Sequence, residues 1–311
     1  MQPLRNLLIL HTEGAQDIAD WMAVRETIRT KAPDIEARIV DSERVSPVTR
    51  KWQIRRPSLV FCPIHSPHYK PLGGTIYAGK RLSKIEQAER FVDAGLATPR
   101  TMRFTPEMPL DPEIWGQNVV IKPIRGSHGV NVRIARLADI AEVARRWDPQ
   151  ADPEVIIQQF IDHTDASHHL ADYRVVTMLG LPLMVQRRRL TRPQPPPETV
   201  LKRNPFGVAM NLVSRHRTRD YVDAPDVYEF AIKIAGAFRD VACLGIDIVR
   251  ERSTGRLYVL EVNPGGNVWQ FSSDFTKTFW PPEDRAAAYD QFNALELAAE
   301  LLIERTRQEA S

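Results

Sequence analysis

The chain has 311 residues, of which 42 are basic and 39 acidic, and its formal net charge at pH 7 is +3. So small a charge does not indicate a nucleic-acid-binding protein, and no stretch approaches the roughly 20 apolar residues of a membrane span. The apolar run at residues 7–10 is too short for a signal peptide. Cys62 and Cys243 both lie in apolar runs, which indicates buried free thiols in a reducing cytoplasm.

The N-terminal quarter predicts a small α/β lobe. Apolar runs at 7–10, 37–40 and 58–62 are typical of buried strands, and a helix is predicted over 16–30. Several Pro and Gly residues follow, which places the end of this lobe near residue 79.

A helix with a well-defined start follows this boundary. Ser83 and Glu86 form a capping-box pattern, and Gly95 is the predicted end of the helix. Lys84 lies in the first turn, where a cation is unfavourable beside the positive end of the helix dipole. This position indicates either an anionic ligand or a solvated lysine.

A glycine-containing loop joins the next two predicted strands, at 118–123 and 132–135. Glycines in the loop 124–131 would let backbone N–H groups approach phosphate oxygens, and Ser127 adds a hydroxyl donor. Lys122, at the end of the first strand, could reach the same phosphates. A plain glycine-rich hairpin is the alternative interpretation.

The following segments complete a predicted central lobe over 80–160. A helix over 137–147 and a strand over 155–161 give it the character of a mobile lid. The third predicted lobe is 161–311. It starts with three histidines and three aspartates at 162–172 whose spacing matches no zinc site, so we expect a structural or solvated role for them.

A strongly basic region follows a predicted hairpin that turns at Gly180. A proline-rich loop at 193–197 interrupts this region. The charges could be a solvated face or could bind phosphates or an acidic substrate, and aromatic residues are too few nearby to favour single-stranded nucleic acid. The basic residues are Arg187, Arg188, Arg189, Arg192, Lys202, Arg203, Arg215, His216, Arg217 and Arg219.

A helix predicted over 226–238 leads into a second hairpin, formed by β-branched and apolar runs at 244–250 and 257–263. The polar segment between the runs favours a three-residue loop with Gly255 in the left-handed conformation, so that residues 250 and 257 are not quite opposite each other. Alternation along the strands then points four residues into a core: Ile246, Ile248, Leu260 and Val262.

The same register places Asp247 directly opposite Glu261, with Cβ atoms about 5 Å apart, and puts Asn263 on their face. Carboxylates at this distance repel each other, and a hard divalent cation with oxygen ligands relieves the repulsion. Mg²⁺ is the predicted ion, because so few protein ligands leave positions for water and phosphate oxygens. A solvated polar face is the alternative.

The C-terminal segment contains two further features. Five aromatic residues between 269 and 280 are expected to be core rather than a substrate-binding wall. A single long amphipathic helix is predicted over 285–305.

Several of these elements, taken in order, resemble the ATP-grasp superfamily over roughly residues 76–300. They are Lys84, the segment 120–129, Asp172-Tyr173-Arg174, and the pair 245–247 and 261–263. The spacing is similar to that of the carboxylate-amine ligases, which include glutamate ligases acting on a ribosomal protein and the D-alanine ligases. The resemblance implies a three-lobed α/β architecture: an N-terminal α/β lobe, a central lid and a C-terminal sheet lobe, with ATP between the last two.

The resemblance also implies roles for individual residues. The phosphates of ATP would be bound by Lys84, Lys122, Gly126, Ser127 and Gly129. The adenine would be bound by Gln158, Gln159, Phe160 and Ile161, and the ribose by Asp165. Arg174 and one of Arg187, Arg188 and Arg189 would lie near the γ-phosphate or acyl phosphate, and Asp247, Glu261 and Asn263 would bind Mg²⁺. Gln159 stands where relatives often have Glu, and Asn131 stands in place of a last loop glycine.

The implied activity is ATP-dependent joining of a carboxylate to an amine through an acyl phosphate, with Mg²⁺ as cofactor, in the cytoplasm. The expected substrates are a small-molecule or peptide carboxylate and an amine. Neither nucleic acid nor a membrane is an expected partner, and a homodimer is left open. The alternatives are phosphorylation without ligation, a nucleophile other than an amine, and a nucleotide-binding regulator without turnover.

Overall fold

The computed structural model describes residues 3–67, 69–105, 108–126, 131–146, 154–203, 208–209, 217–265 and 268–311. Within these ranges the strands form three sheets, one of four strands and two of five. No helix in these ranges is long and apolar enough to cross a membrane.

The first sheet is parallel, with strand order β2-β1-β3-β4. The first three strands along the chain match the predicted apolar runs. The fourth was not predicted, because it is a short edge strand whose residues are half-buried or exposed. The elements of this part are β1 (Arg5–His11), α1 (Ile18–Lys31), β2 (Ile35–Asp41), α2 (Pro47–Gln53), β3 (Ser58–Cys62) and β4 (Thr75–Ala78).

The predicted capping box at the next helix, α3 (Lys84–Asp93), is confirmed. The backbone N–H of Ser83 donates to Glu86 Oε2 at 2.6 Å, and the backbone N–H of Glu86 donates to Ser83 Oγ at 3.3 Å. Two orphan donors of the first turn are thereby satisfied, which fixes the start of the helix and the position of Lys84.

The second sheet is antiparallel, with strand order β11-β7-β6-β8-β5. The helix predicted over 137–147 begins as a 3-10 turn at Leu137–Asp139, and the strand predicted to reach residue 161 ends at Gln159. The elements are β5 (Thr101–Arg103), α4 (Pro112–Trp115), β6 (Asn118–Pro123), β7 (Arg133–Arg136), α5 (Ile140–Arg145), β8 (Val155–Gln159) and, later in the chain, β11 (Val208–Ala209).

The third sheet is antiparallel, with strand order β12-β10-β9-β13-β14. One of its faces packs on α7, where Val227 and Ile234 meet Val175, Ile246 and Ile248 in a buried cluster. The elements are β9 (Ala171–Met178), β10 (Leu181–Leu190), α6 (Pro197–Arg203), β12 (Arg217–Tyr221), α7 (Pro225–Gly236), β13 (Cys243–Arg250) and β14 (Leu257–Asn263).

The hairpin of β13 and β14 confirms the opposition of Asp247 and Glu261 but corrects the rest of the register. Arg250 pairs directly with Leu257, and Ile248 pairs with Val259, so Leu260 is the extra residue of a bulge. The prediction that Leu260 enters the core is wrong, and Val259, which is fully buried, takes its place. Gly255 has the expected left-handed conformation, with φ of 72°.

The predicted C-terminal helix is wrong in one respect, because it is two helices. They are α9 (Pro282–Asp290) and α10 (Ala294–Glu309), and Asn293 between them has φ of 50°. Asparagine tolerates this left-handed conformation, which interrupts the helix. The preceding short helix is α8 (Asp274–Phe279).

The largest core cluster joins the first sheet to the C-terminal segment. Trp21 and Ile28 of α1 share it with Ala298 and Leu302 of α10. Trp269, Phe271 and Trp280 are also buried there, as expected of core aromatics, whereas Phe279 is 48% exposed.

Both cysteines are buried free thiols, as predicted. Burial raises the pKa of Cys62 to about 11 and raises that of Cys243 as well. Because the thiolate is the reactive form, we expect a thiol reagent such as DTNB to modify neither cysteine in the folded protein and both in denaturant. Fast modification of the folded protein would contradict the burial of these side chains.

Candidate active site

One face of the third sheet is lined by charged and polar residues from all five strands. Side chains alternate along a strand, so residues two apart lie on the same face of the sheet. Residues that pair directly across neighbouring strands also lie on the same face. The face comprises Arg217 and Arg219 of β12, Gln186 and Arg188 of β10, Asp172 and Arg174 of β9, Gly245 and Asp247 of β13, and Glu261 and Asn263 of β14.

A row of alternating arginines and aspartates, joined by ion pairs, crosses this face. Arg217 Nη1 lies 3.1 Å from Asp172 Oδ2, and Arg188 Nε lies 2.6 Å from Asp172 Oδ1. Arg188 continues to Asp247 Oδ1 at 2.7 Å, and Arg174 Nη1 binds Asp247 Oδ2 at 2.8 Å. We call these five residues the charge chain. Its members are half-buried or buried, so they are less screened by solvent than a surface pair.

In the charge chain, burial and ion pairing shift the pKa values of the side chains in opposite directions. Burial alone would raise the pKa of Asp172, but Arg188 and Arg217 hold that pKa below its usual value. Burial would likewise lower the pKa of Arg188, but Asp172 and Asp247 raise it. Each group is therefore charged because of its neighbours.

The three predicted metal ligands lie together at one end of the charge chain. Asn263 Nδ2 lies 3.3 Å from Asp247 Oδ2, and Glu261 pairs with Asp247 across the strands. The carboxylate of Glu261 accepts no hydrogen bond from any described residue, and an ionised carboxylate such as Asp247 has roughly four lone-pair sites. The two carboxylates are ligands of the kind that a hard divalent cation prefers, whereas the Asn263 amide donates its Nδ2–H to Asp247.

Lys122 brings the second sheet to these ligands. Its Nζ lies 4.0 Å from Glu261 Oε2, and its side chain is buried. Burial lowers the pKa of Lys122 to about 8; Glu261 opposes this shift and Lys84 adds to it. Lys84 Nζ donates to the carbonyl oxygen of Gly126 at 2.9 Å, so both predicted lysines lie beside the start of the glycine loop.

Gly126 and Asn131 lie at the two ends of the part of the glycine loop that the structure leaves undescribed. Gly126 has φ of 139° and Asn131 has φ of 58°. Asn131 therefore adopts the left-handed conformation that the glycine of relatives would allow. Ser127 and Gly129 lie outside the described residues, so their contact with phosphates stays a prediction.

Among the described residues, none of those predicted to bind adenine and ribose is hydrogen-bonded or ion-paired to a member of the charge chain. Gln158 is buried in the second sheet, where its Nε2 donates to Thr101 Oγ1 at 2.8 Å; Gln159 and Phe160 are half-buried and Ile161 is buried. Asp165 accepts backbone hydrogen bonds from Ser167 and His169, each at 2.9 Å, and binds Arg189 Nε at 2.5 Å. These contacts give Asp165 a structural role in its own loop, and its predicted contact with ribose stays untested.

Arg188 is the member of the run 187–189 that lies on the face of Asp247. Arg187 and Arg189 point to the opposite face by strand alternation. Arg189 pairs with Asp165, and Arg187 makes no ion pair with a residue in the ranges that the structure describes.

Gly245 is a site residue to which the sequence assigned no role. A Cβ atom at this position would lie 2.5 Å from Arg174 Nη2 and 2.7 Å from Arg174 Cζ. The guanidinium therefore lies across β13 in the space that a side chain at position 245 would occupy, so a larger residue would require the guanidinium to move. A glycine inside a strand was the available signal, because such glycines often mark a close approach.

Comparison with known proteins agrees with this architecture. A family model described as an ATP-grasp domain matches residues 82–265, which is more than half of the chain. No curated protein sequence matches. The chain belongs to the ATP-grasp family, as the order of its motifs predicted.

Solved structures of three ligases share the fold. The ATP-grasp ligase PsnB, complexed with a phosphomimetic variant of its minimal precursor, Mg and ADP, is 16% identical, with a TM-score of 0.55 and coverage of 98% of this chain and 99% of PsnB. D-cycloserine synthetase DcsG is 16% identical, with a TM-score of 0.52 and coverage of 96% and 99%. D-alanine–D-alanine ligase from Bacillus anthracis is 15% identical, with a TM-score of 0.50 and coverage of 97% and 99%. Family and fold agree with the predicted class of enzyme, an ATP-dependent ligase that forms C–N bonds.

The close approach at Gly245 gives a prediction. We expect Gly245→Ala to displace the Arg174 guanidinium and to lower the free energy of unfolding by about 1–3 kcal/mol, because the core is overfilled there. The matched control is Gly236→Ala, since a Cβ at Gly236 meets no atom within 4 Å. Urea unfolding measures both variants, and equal stabilities would contradict the tight contact.

Proposed function

We propose that the protein uses ATP to join a carboxylate to an amine. The observation that carries the proposal is the meeting of two sheets at one point. Asp247, Glu261 and Asn263 lie together on the third sheet, and Lys122 of the second sheet reaches to 4.0 Å from Glu261. A cationic and an anionic group facing each other between two sheets suit a triphosphate with its divalent cation.

In this proposal ATP lies between the second and third sheets. Lys84 and Lys122 contact its phosphates, and the loop of Gly126, Ser127 and Gly129 covers them. Residues 158–161 bind the adenine, and Asp165 binds the ribose. Asp247, Glu261 and Asn263 would hold Mg²⁺, which would neutralise part of the phosphate charge.

The chemistry has two transfers. A carboxylate oxygen of the acid substrate bonds to the γ-phosphorus as the bond from that phosphorus to the β,γ-bridging oxygen breaks, and ADP leaves. The amine nitrogen then bonds to the acyl carbon as the bond from that carbon to the phosphate oxygen breaks; phosphate leaves and the amine loses a proton to solvent. Arg174 and Arg188 would position the acid and stabilise the oxyanion of the second transfer.

Two kinds of acid substrate, a peptide and a small molecule, are candidates. PsnB was solved with a precursor peptide and the D-alanine ligase acts on D-alanine, so both a peptide and a small molecule are candidate substrates. The buried free thiols and the use of ATP favour a cytoplasmic location.

The metal ligands provide the test. We expect Asp247→Asn and Glu261→Gln to reduce substrate-stimulated phosphate release by roughly 100-fold or more, because each removes charge from the proposed cation site. The matched control is Asp226→Asn. Asp226 is an exposed acid outside the site, and its carboxylate lies 2.7 Å from the guanidinium of Arg250.

Phosphate release should be measured on the full chain with panels of acids and amines, and product masses should be read directly. An amide product whose formation depends on ATP supports the proposal. Full activity in both site variants would contradict it.

A further inference from the structure

Two arginines face each other directly on the polar face of the third sheet. Arg219 of β12 pairs with Arg188 of β10 in the antiparallel register. Like charges in directly opposed positions of a sheet are destabilising. Both arginines are nevertheless present, so the repulsion between Arg188 and Arg219 has to be offset by a negative charge nearby.

Arg219 is the poorly compensated cation of this face. Arg188 and Arg217 have aspartate partners at 2.6 to 3.1 Å. The acid nearest to Arg219 among the described residues is Asp284, at 3.8 Å, which is too long for a hydrogen bond. Of the four arginines on the face, Arg174, Arg188 and Arg217 each lie within 3.1 Å of Asp172 or Asp247, whereas the described partner of Arg219 is the more distant Asp284 of α9.

The surroundings hold Arg219 in place at the edge of the site. Its guanidinium carbon lies 5.3 Å from the centroid of the Trp280 ring, and its side chain is 18% exposed. Burial lowers the pKa of Arg219; Asp284 opposes this shift, and the charges of Arg188 and Arg217 add to it. An anion placed beside Arg219 would relieve this repulsion.

We propose that Arg219, with Arg217 beside it, binds a second anionic group of the acid substrate, so that the acid is a dicarboxylate. The inference rests on the proposed ligase function, because it names the class of acid that the enzyme uses. The reacting carboxylate lies at Arg174 and Arg188, and the second carboxylate lies toward β12.

The separation suits a short diacid. Arg188 and Arg219 are directly opposed on neighbouring strands, so their Cβ atoms lie about 5 Å apart. Two anionic groups, one bound at each arginine, would have a comparable spacing, which is that of the carboxylates of a short diacid.

Binding can be tested without ATP through Trp280. We expect glutarate to change the tryptophan fluorescence of the full chain and to bind roughly tenfold or more tightly than its monoamide, glutaramate, at constant ionic strength. Arg219→Gln should remove this preference, and Trp280→Phe should remove the signal. The matched control is Arg250→Gln, because Arg250 also pairs with an aspartate and lies over an aromatic ring, that of Tyr173 at 5.9 Å.

A turnover assay gives the second measurement. Arg219→Gln should raise KM for dicarboxylic acids by roughly tenfold with little change in kcat, and should leave KM for their monoamides unchanged. O-phosphoserine and serine, compared in the same assay, distinguish a phosphate from a carboxylate as the second group.

The outcomes separate the two proposals. Equal binding of glutarate and glutaramate by the wild type, or an unchanged preference in Arg219→Gln, would overturn the dicarboxylate subsite even if ligation is observed. A preference for O-phosphoserine over every diacid would also overturn it. Absence of ATP turnover with every acid and amine would instead overturn the ligase function.

Discussion

The shared carboxylate of Asp247 is the interaction on which the candidate site depends. Its two oxygens bind Arg188 and Arg174, and through Arg188 it is linked to Asp172 and Arg217. Removing one member of such a buried series leaves its neighbour with an uncompensated charge, which is costly. The charge chain therefore fixes the positions of side chains from four strands with respect to one another.

The same carboxylate gives the site two possible states. Without a cation, the arginines neutralise Asp247. If a cation binds at Asp247 and Glu261 as proposed, the arginines would share their partner with a positive ion and would be better able to bind anions. Binding of the metal would thus prepare Arg174 and Arg188 for the phosphate and carboxylate of the proposed reaction.

Local patterns in the sequence predicted a large part of this arrangement. The capping box at Ser83 and the alternation on β13 and β14 depend on neighbours a few residues away, so they could be recognised directly. The bulge at Leu260 could not be predicted, because it depends on which strand residues fill the core. The break between α9 and α10 depends on the left-handed conformation of Asn293, which the apolar periodicity of the segment does not indicate. The close approach of Arg174 to Gly245 and the opposition of Arg188 and Arg219 join segments far apart in sequence, and they became visible only with the register of the sheet.

The most direct test of the central claim is calorimetric titration of the protein with ADP, with and without Mg²⁺. We expect Mg²⁺ to tighten ADP binding in the wild type, and we expect Glu261→Gln to abolish this effect while metal-free binding is retained. ADP binding that is equally tight with and without Mg²⁺, or an undiminished Mg²⁺ effect in Glu261→Gln, would contradict the assignment of Asp247, Glu261 and Asn263 as the cation site.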